Sequence, residues 1–318
     1  MNNTISGNNH AVVLAGMCTA LAVVLSLIGL YMPLLSTVVF LLIPLPIAYL
    51  GMKEGVKWSV VVTIGILILD SSFFGIVSAA FLCAIFGVLG VVMGVCYRLK
   101  VSATKTLIAA SIVVLWALLA EAAATLYLLG LPTLLFGGEG MSELKEAMMS
   151  TLPSFYSGEA LSQAQEKVEM LITAMEKSVP FTIIAVAVFY SWASMTLGSF
   201  VFRKMGITDI PHLPPFEKWY FPKPVVYVYI AVLASEFFLK DNGTISYIIY
   251  NFGVACTFIF WLQGISTVWW LPHKYPFIRP LRVIIIFLSV FVAIIQMVVV
   301  FLGLADMATE YRKRWAGK

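Results

Sequence analysis

Ala11-Val12-Val13-Leu14-Ala15-Gly16-Met17-Cys18-Thr19-Ala20-Leu21-Ala22-Val23-Val24-Leu25-Ser26-Leu27-Ile28-Gly29-Leu30 is twenty consecutive residues without a charged side chain. At 1.5 Å per residue, a helix of that length reaches roughly 30 Å, the thickness of a bilayer's hydrocarbon core. Comparable runs follow near 34–51, 57–72, 75–97, 106–131, 179–202, 225–240, 245–270 and 283–304. None alternates polar with apolar residues as a barrel strand would. In lipid the backbone must then satisfy its own hydrogen bonds as helix. The expected fold class is all-α, a polytopic transmembrane helical bundle of about nine spans. Eight is the alternative, because the third and seventh runs are short.

The rest of the chain offers no material for a water-exposed domain. Hydrophobic residues make up 61% and charged residues 11%, against roughly 45–50% and 25% in soluble domains. Residues 1–10 carry no Lys or Arg, and the first run ends at Tyr31-Met32-Pro33 without a small-residue cleavage site. A retained first helix is expected. Cys18, Cys83, Cys96 and Cys256 all lie inside apolar runs with no C-x-x-C pair, so neither a disulfide framework nor a zinc site is expected.

Lys and Arg in the short loops set the orientation. Lys53 and Lys57, then Arg98, Lys100 and Lys105, then Arg203, Lys204, Lys218 and Lys223 mark three cytoplasmic connections. Residues 138–178 hold seven Glu and three Lys, net −4, and belong outside. The N-terminus is then cytoplasmic, in a bacterial cytoplasmic (inner) membrane. Lys274, Arg279 and Arg282 fit a cytoplasmic turn. The tail cluster Arg312, Lys313 and Arg314 does not, since nine crossings carry it outside.

Two segments stand apart from the spans. Between Glu159 and Lys177 the residues Leu161, Ala164, Val168, Leu171, Ile172 and Met175 recur at helical spacing, which predicts an amphipathic helix on the outer face. Residues 203–224 hold five prolines with Trp219, Tyr220 and Phe221 and read as a cytoplasmic, Pro-rich interfacial linker. The expected organisation is a six-helix module over 1–202 with the amphipathic outer loop 138–178, the linker 203–224, and C-terminal helices with a basic tail over 225–318.

No H-E-x-x-H, G-x-S-x-G or G-x-x-x-x-G-K-[ST] occurs, and His10, His212 and His273 are scattered. The sequence therefore points away from an enzyme, a metal site, a cofactor or a nucleic-acid partner. Ionisable residues within spans are costly and are functional candidates by default. Three qualify: Asp70, Glu121 and Glu236. Glu121 lies 16 residues beyond Lys105, roughly 24 Å along its helix and in the outer half. Asp70 and Glu236 come near the outer ends of their spans, so the three acids are expected to converge on an outward-facing site for a cationic small molecule. Local readings compete: Asp70 could cap the next helix, and Glu236 could pair with Lys240. Asn251 and Gln263 suit hydrogen bonds across helices. Ala11, Ala15 and Thr19, four residues apart, form a small-residue face for docking a partner helix or for packing within the chain's own bundle.

With those residues in view, the chain resembles the YybS-like family of bacterial membrane proteins. The resemblance is carried by Ala15 to Ala22, Ile43-Pro44-Leu45-Pro46, Gly51-Met52-Lys53-Glu54-Gly55, Gln263-Gly264, Gly303-Leu304-Ala305-Asp306 and Tyr311-Arg312-Lys313. That family is similar, over its first six helices, to the substrate-binding S components of energy-coupling-factor transporters. The resemblance implies ligand binding near the outer face and a transmembrane coupling subunit docked on the first helix, with separate ATPases. The last helices have no counterpart in an S component, which leaves a non-transporting membrane scaffold as the alternative.

Overall fold

The computed structural model describes residues 2–130, 139–238 and 243–316, and their regular structure is helical throughout. Two compact units are present: Met1–Leu144 with Thr182–Leu213, and Lys145–Phe181 with Pro214–Lys318.

The first unit contains α1 (Asn2–Tyr31), α2 (Pro33–Phe40), α3 (Pro44–Glu54), α4 (Val56–Phe74), α5 (Ile76–Leu82), a π-helical turn (Cys83–Gly87), α6 (Val88–Arg98) and α7 (Ala103–Leu129). The second half of α9 (Glu159–Lys204) completes it. Gly55 (φ 103°) and Gly75 (φ 85°) make the turns on either side of α4, in a region of backbone conformation that a side chain resists. The centre of the unit is a near-contact of backbones between α3 and α6. A Cβ on Gly90 would lie 2.7 Å from the Pro44 carbonyl oxygen, and one on Gly94 would lie 2.9 Å from that of Ala48. Gly90 and Gly94 are a small-x-x-x-small pair, whose missing side chains let two apolar helices gain dispersion contact along their backbones.

The face expected on α1 turns inward here. Ala11 and Ala15 are buried, Ala15 packs with Val62 and Ile66 of α4 in one apolar cluster, and Gly65 of α4 abuts Thr19. That surface closes on the chain's own bundle, because small residues on α1 meet a glycine on α4. The opposite side of α1, with Val13, Met17 and Leu21, is exposed.

The second unit contains α8 (Glu139–Thr151, from Lys145 onward), the first half of α9, α10 (Pro224–Phe238), α11 (Gly243–Trp270), α12 (Leu281–Phe291), α13 (Ala293–Thr309) and α14 (Tyr311–Ala316). The amphipathic stretch from Glu159 is therefore not a separate surface helix. It continues without a break into the sixth span, and residues up to Phe181 pack with the C-terminal helices. Pro180 sits inside α9 and removes one backbone donor. Asn251 of α11 binds beside it: Nδ2 donates to the Lys177 carbonyl at 2.8 Å, and Oδ1 accepts from the Phe181 N–H at 3.1 Å. In a regular helix those two backbone groups bond to each other. The amide is inserted at the turn that proline loosens.

Among the described residues seven helical segments, with α2–α3 and α5–α6 each counting as one, are long and apolar enough to cross a membrane, and α10 is a shorter apolar helix. The ninth expected span is two helices, α12 and α13, meeting at 113°. Their contacts follow α11 down and back. Arg282 lies 4.1 Å over the Trp269 ring near the end of α11. Ser289 accepts from Trp261 Nε1 at 3.3 Å, halfway along. The chain then returns to the starting level, where Asp306 Oδ2 accepts from Thr267 at 3.3 Å and the Tyr311 ring lies 6.2 Å from that of Trp270. Both ends of the α12–α13 pair thus lie at the same end of α11. Under the charge rule, Arg312, Lys313 and Arg314 then share a side with Lys274, Arg279 and Arg282, and the conflict that nine crossings created disappears.

Two tests follow from this packing. Gly94→Leu should destabilise the first unit by about 3 kcal/mol or more, since overpacking against backbone cannot relax. Gly16→Leu, with nothing within 4 Å of its Cβ, should be near neutral, as read by thermal unfolding in detergent. In intact cells, a membrane-impermeant thiol reagent should label Ser157→Cys without permeabilisation and Lys313→Cys only after it. Labelling of both from one side would exclude the paired return of α12 and α13.

Candidate functional site

Asp70 lies four residues before the end of α4 and is fully buried. Neither carboxylate oxygen has a hydrogen-bond partner among the described residues. It does not cap the following helix, whose N-cap is Gly75 with no side-chain bond. Ser26 of α1 and Cys83 of the π-helical turn stand beside it. The Ser26 hydroxyl donates to the Ala22 carbonyl at 3.0 Å and, by rotation, has the Asp70 carboxylate within reach as its alternative acceptor. The Cys83 thiol points to the Thr63 carbonyl at 3.7 Å. Ser26, Asp70 and Cys83 each lie within seven residues of the same end of their spans, roughly 6–10 Å from that surface. A π-helical turn replaces regular α geometry here, a departure found most often where a helix serves a site.

Glu121 is half-buried on α7 beside Tyr190 of α9, and Thr125 donates to its backbone carbonyl at 2.9 Å. Its neighbours differ from those of Asp70, the two acids flanking separate apolar clusters, around Ala117 and Tyr190 in one case and Ile66 and Cys83 in the other. Glu236 belongs to α10 of the second unit, and its side chain lies outside the described residues. Asp70 and Glu121 thus stand at separate clusters within the first unit, and the expected convergence of Glu236 with them lies outside the described residues.

The second unit holds a buried polar centre that sequence reasoning passed over. Asp306 and Arg312 are 2% and 6% exposed, and Arg312 Nε donates to Asp306 Oδ2 at 2.7 Å. Gln263 Nε2 donates to the same oxygen at 2.6 Å, and the Arg312 backbone N–H reaches Oδ1 at 3.2 Å. The guanidinium also bonds the carbonyls of Glu217 and Trp219, at 2.9 and 2.8 Å, and the Ser266 hydroxyl at 2.8 Å. Gln263 Oε1 accepts from the Phe221 N–H at 3.1 Å. The Pro-rich linker, an unwound stretch with carbonyls to satisfy, is fastened in this way to α11 and the tail. Burial, with Glu310 and Asp306 nearby, pushes the Tyr220 hydroxyl of that linker up to about 12 against the opposing Arg312 charge. Just outside the centre, α11 and α13 touch at Gly264 and Gly303, where a Cβ would run into the Val299 and Phe260 carbonyls.

Farther along α11 lies a cavity of ≈ 500 Å³ among α10, α11, the α12–α13 break and Phe181. It carries aromatic and aliphatic side chains with Thr257 and Gln296, and among the described residues no acid or base lines it. Among the described residues no group of three His, Cys, Asp or Glu could hold a metal ion.

Comparisons with known proteins come to the same class of molecule. The family model described as "Predicted membrane protein (DUF2232)" matches residues 20–307. The "Uncharacterized protein YybS" of Bacillus subtilis (strain 168) is 23% identical over 304 residues, covering 93% of this chain and 95% of that protein. No solved structure matches.

The polar centre yields one prediction. Arg312→Ala leaves Asp306 buried without its counter-charge and should cost about 3–5 kcal/mol, whereas Asp306→Leu with Arg312→Met should cost clearly less. Thermal unfolding reports the difference, and protease cleavage within 205–223 should rise in both variants because the linker carbonyls lose their donor in each. Equal cleavage in all three proteins would show that the network does not hold the linker. A membrane-helical chain matched from residue 20 to residue 307 belongs to the DUF2232 family of predicted membrane proteins.

Proposed function

We propose that this membrane protein binds a small cationic solute near the outer ends of α1, α4 and α5 for uptake, in the manner of an S component. One observation carries the reading: Asp70 is buried in a span with both oxygens unpartnered among the described residues. Leaving a buried carboxylate without hydrogen bonds or counter-charge is costly, and a cationic ligand supplies both. Ser26 and Cys83 add neutral polar groups beside it. Glu121, half-buried on α7, is a second acidic contact for a longer ligand or for its path inward. The six spans that carry both acids correspond in number to an S component.

Energy for uptake would come from a transmembrane coupling subunit with separate ATPases, and the reading assigns no catalytic step to this chain. With Ala11 and Ala15 buried against α4, a coupling subunit would meet α1 on its exposed side instead. The second reading is a scaffold that retains the fold without a ligand. The inward closure of that small-residue face favours it.

Thermal unfolding of wild type, Asp70→Asn and Glu121→Gln against cationic vitamins, polyamines and divalent metals separates the two. A cation that binds should stabilise wild type by about 2.7 kcal/mol at a hundredfold excess over Kd, and Asp70→Asn should lose that gain. A scaffold would show no ligand-dependent shift in any of the three, with Asp70→Asn at least as stable as wild type. Stabilisation by an anionic ligand through Asp70 would reverse the sign of the proposed site.

A further inference from the structure

The cavity of the second unit is independent of Asp70, and its chemistry is different. Along α11 its wall runs from Tyr250 to Trp261. Those residues lie roughly 10 Å and 14 Å inside the two ends of that helix. That is the depth of hydrocarbon. Among the described residues its lining carries no acid or base, so the wall they form suits an uncharged chain, since nothing on it would compensate a desolvated charge. The volume falls in the range of small-molecule sites.

The cavity reaches the surface at the α12–α13 break, and again at the exposed Leu233 of α10. Val290 and Gln296, one on each side of the break, line the cavity and are also exposed. Around them Phe287, Phe291, Ile294 and Met297 are exposed too. The opening is therefore continuous with an apolar surface of the kind that faces lipid, and a water-soluble ligand would have to cross that surface to enter. The distance to the membrane edge is also informative. From its start at Leu281, α12 runs eleven residues to the break, about 16 Å, close to half of a 30 Å hydrocarbon core. At that start stand the exposed Arg279 and, stacked on Trp269, Arg282.

We propose that the cavity holds one acyl chain of a membrane phospholipid, entering through the α12–α13 break, with the phosphate headgroup at Arg279 and Arg282. Asn251 shapes the wall opposite, since its grip on Lys177 and Phe181 fixes the turn from which Phe181 projects into the cavity. A phospholipid fits both ends of this arrangement: an aliphatic chain at mid-depth, and an anion about 16 Å away at a basic edge.

The test uses the full protein in nanodiscs of phosphatidylethanolamine and phosphatidylglycerol containing a phospholipid with a photoreactive diazirine near the end of one chain. Illumination should attach it to peptides spanning Gly253–Trp261 and Val290–Val300. Gly253→Leu, which fills the cavity, should abolish labelling of Gly253–Trp261 while the exposed Phe301 face remains labelled. Thr257→Trp serves in the same way if Gly253→Leu does not fold. A headgroup diazirine should label the Arg279–Arg282 turn. Labelling of Gly253–Trp261 that is absent in wild type or unchanged in the filled variants would overturn the proposal. Entry of a water-soluble diazirine into the cavity would overturn it as well.

Discussion

In hydrocarbon a polar group that finds no partner within the protein has no water to fall back on, and this constraint organises the whole molecule. Most departures from plain apolar helix answer it locally. Beside Pro180, the Lys177 carbonyl and the Phe181 N–H are both taken up by the Asn251 amide. The unwound linker before α10 offers carbonyls, and Arg312 takes two of them while Asp306 balances its charge. Serines and threonines inside the spans donate back to carbonyls four residues earlier, as Ser26, Thr63 and Ser191 do. Against that background Asp70 is one of three exceptions among the described residues, with the hydroxyls of Tyr97 and Ser111, and it is the carboxylate among them. Its buried oxygens are what the proposed cation would complete.

The same constraint separates the units by chemistry. In the first, glycines bring α3 and α6 into backbone contact and leave one carboxylate without a protein partner near the end of three spans. In the second, the polar groups are spent on holding a linker, a tail and a broken helix pair together, and the remaining space is apolar. The proposed ligands differ accordingly, a charged solute for the first unit and a lipid chain for the second. A buried ion pair such as Asp306–Arg312 is weak as a source of stability but strict about geometry. Its role here is to fix where the tail returns.

How far the sequence alone disclosed this depends on the range of each interaction. Spans and their class were legible because hydrophobicity is a local, summed property, and α4 and α7 lie close to the expected runs. Asn251 and Gln263 were legible as cross-helix donors, although not their partners. The break at Val292 was not legible, since Phe291-Val292-Ala293 contains neither Gly nor Pro and reads as continuous helix. The pairing of Asp306 with Arg312 was not legible for a similar reason. They are six residues apart, a spacing that no regular helix brings together, and meet only because Glu310 adopts φ 52° and turns the tail back. Gly90 and Gly94 stood in plain view, but attention went to the first helix, whose small residues turned out to serve internal packing. For the acids, sequence supplied depth and structure supplied neighbours. Depth alone suggested a convergence that Asp70 and Glu121 do not form.

The central claim is that Asp70 is completed by something other than the protein. The most direct measurement is an experimental density map of the protein isolated in its native lipids, at a resolution that shows ordered water and ions. The account predicts non-protein density within hydrogen-bonding distance of an Asp70 carboxylate oxygen, between α1 and the π-helical turn. A carboxylate found fully hydrogen-bonded by side chains and backbone of this chain, with no density beside it, would contradict it.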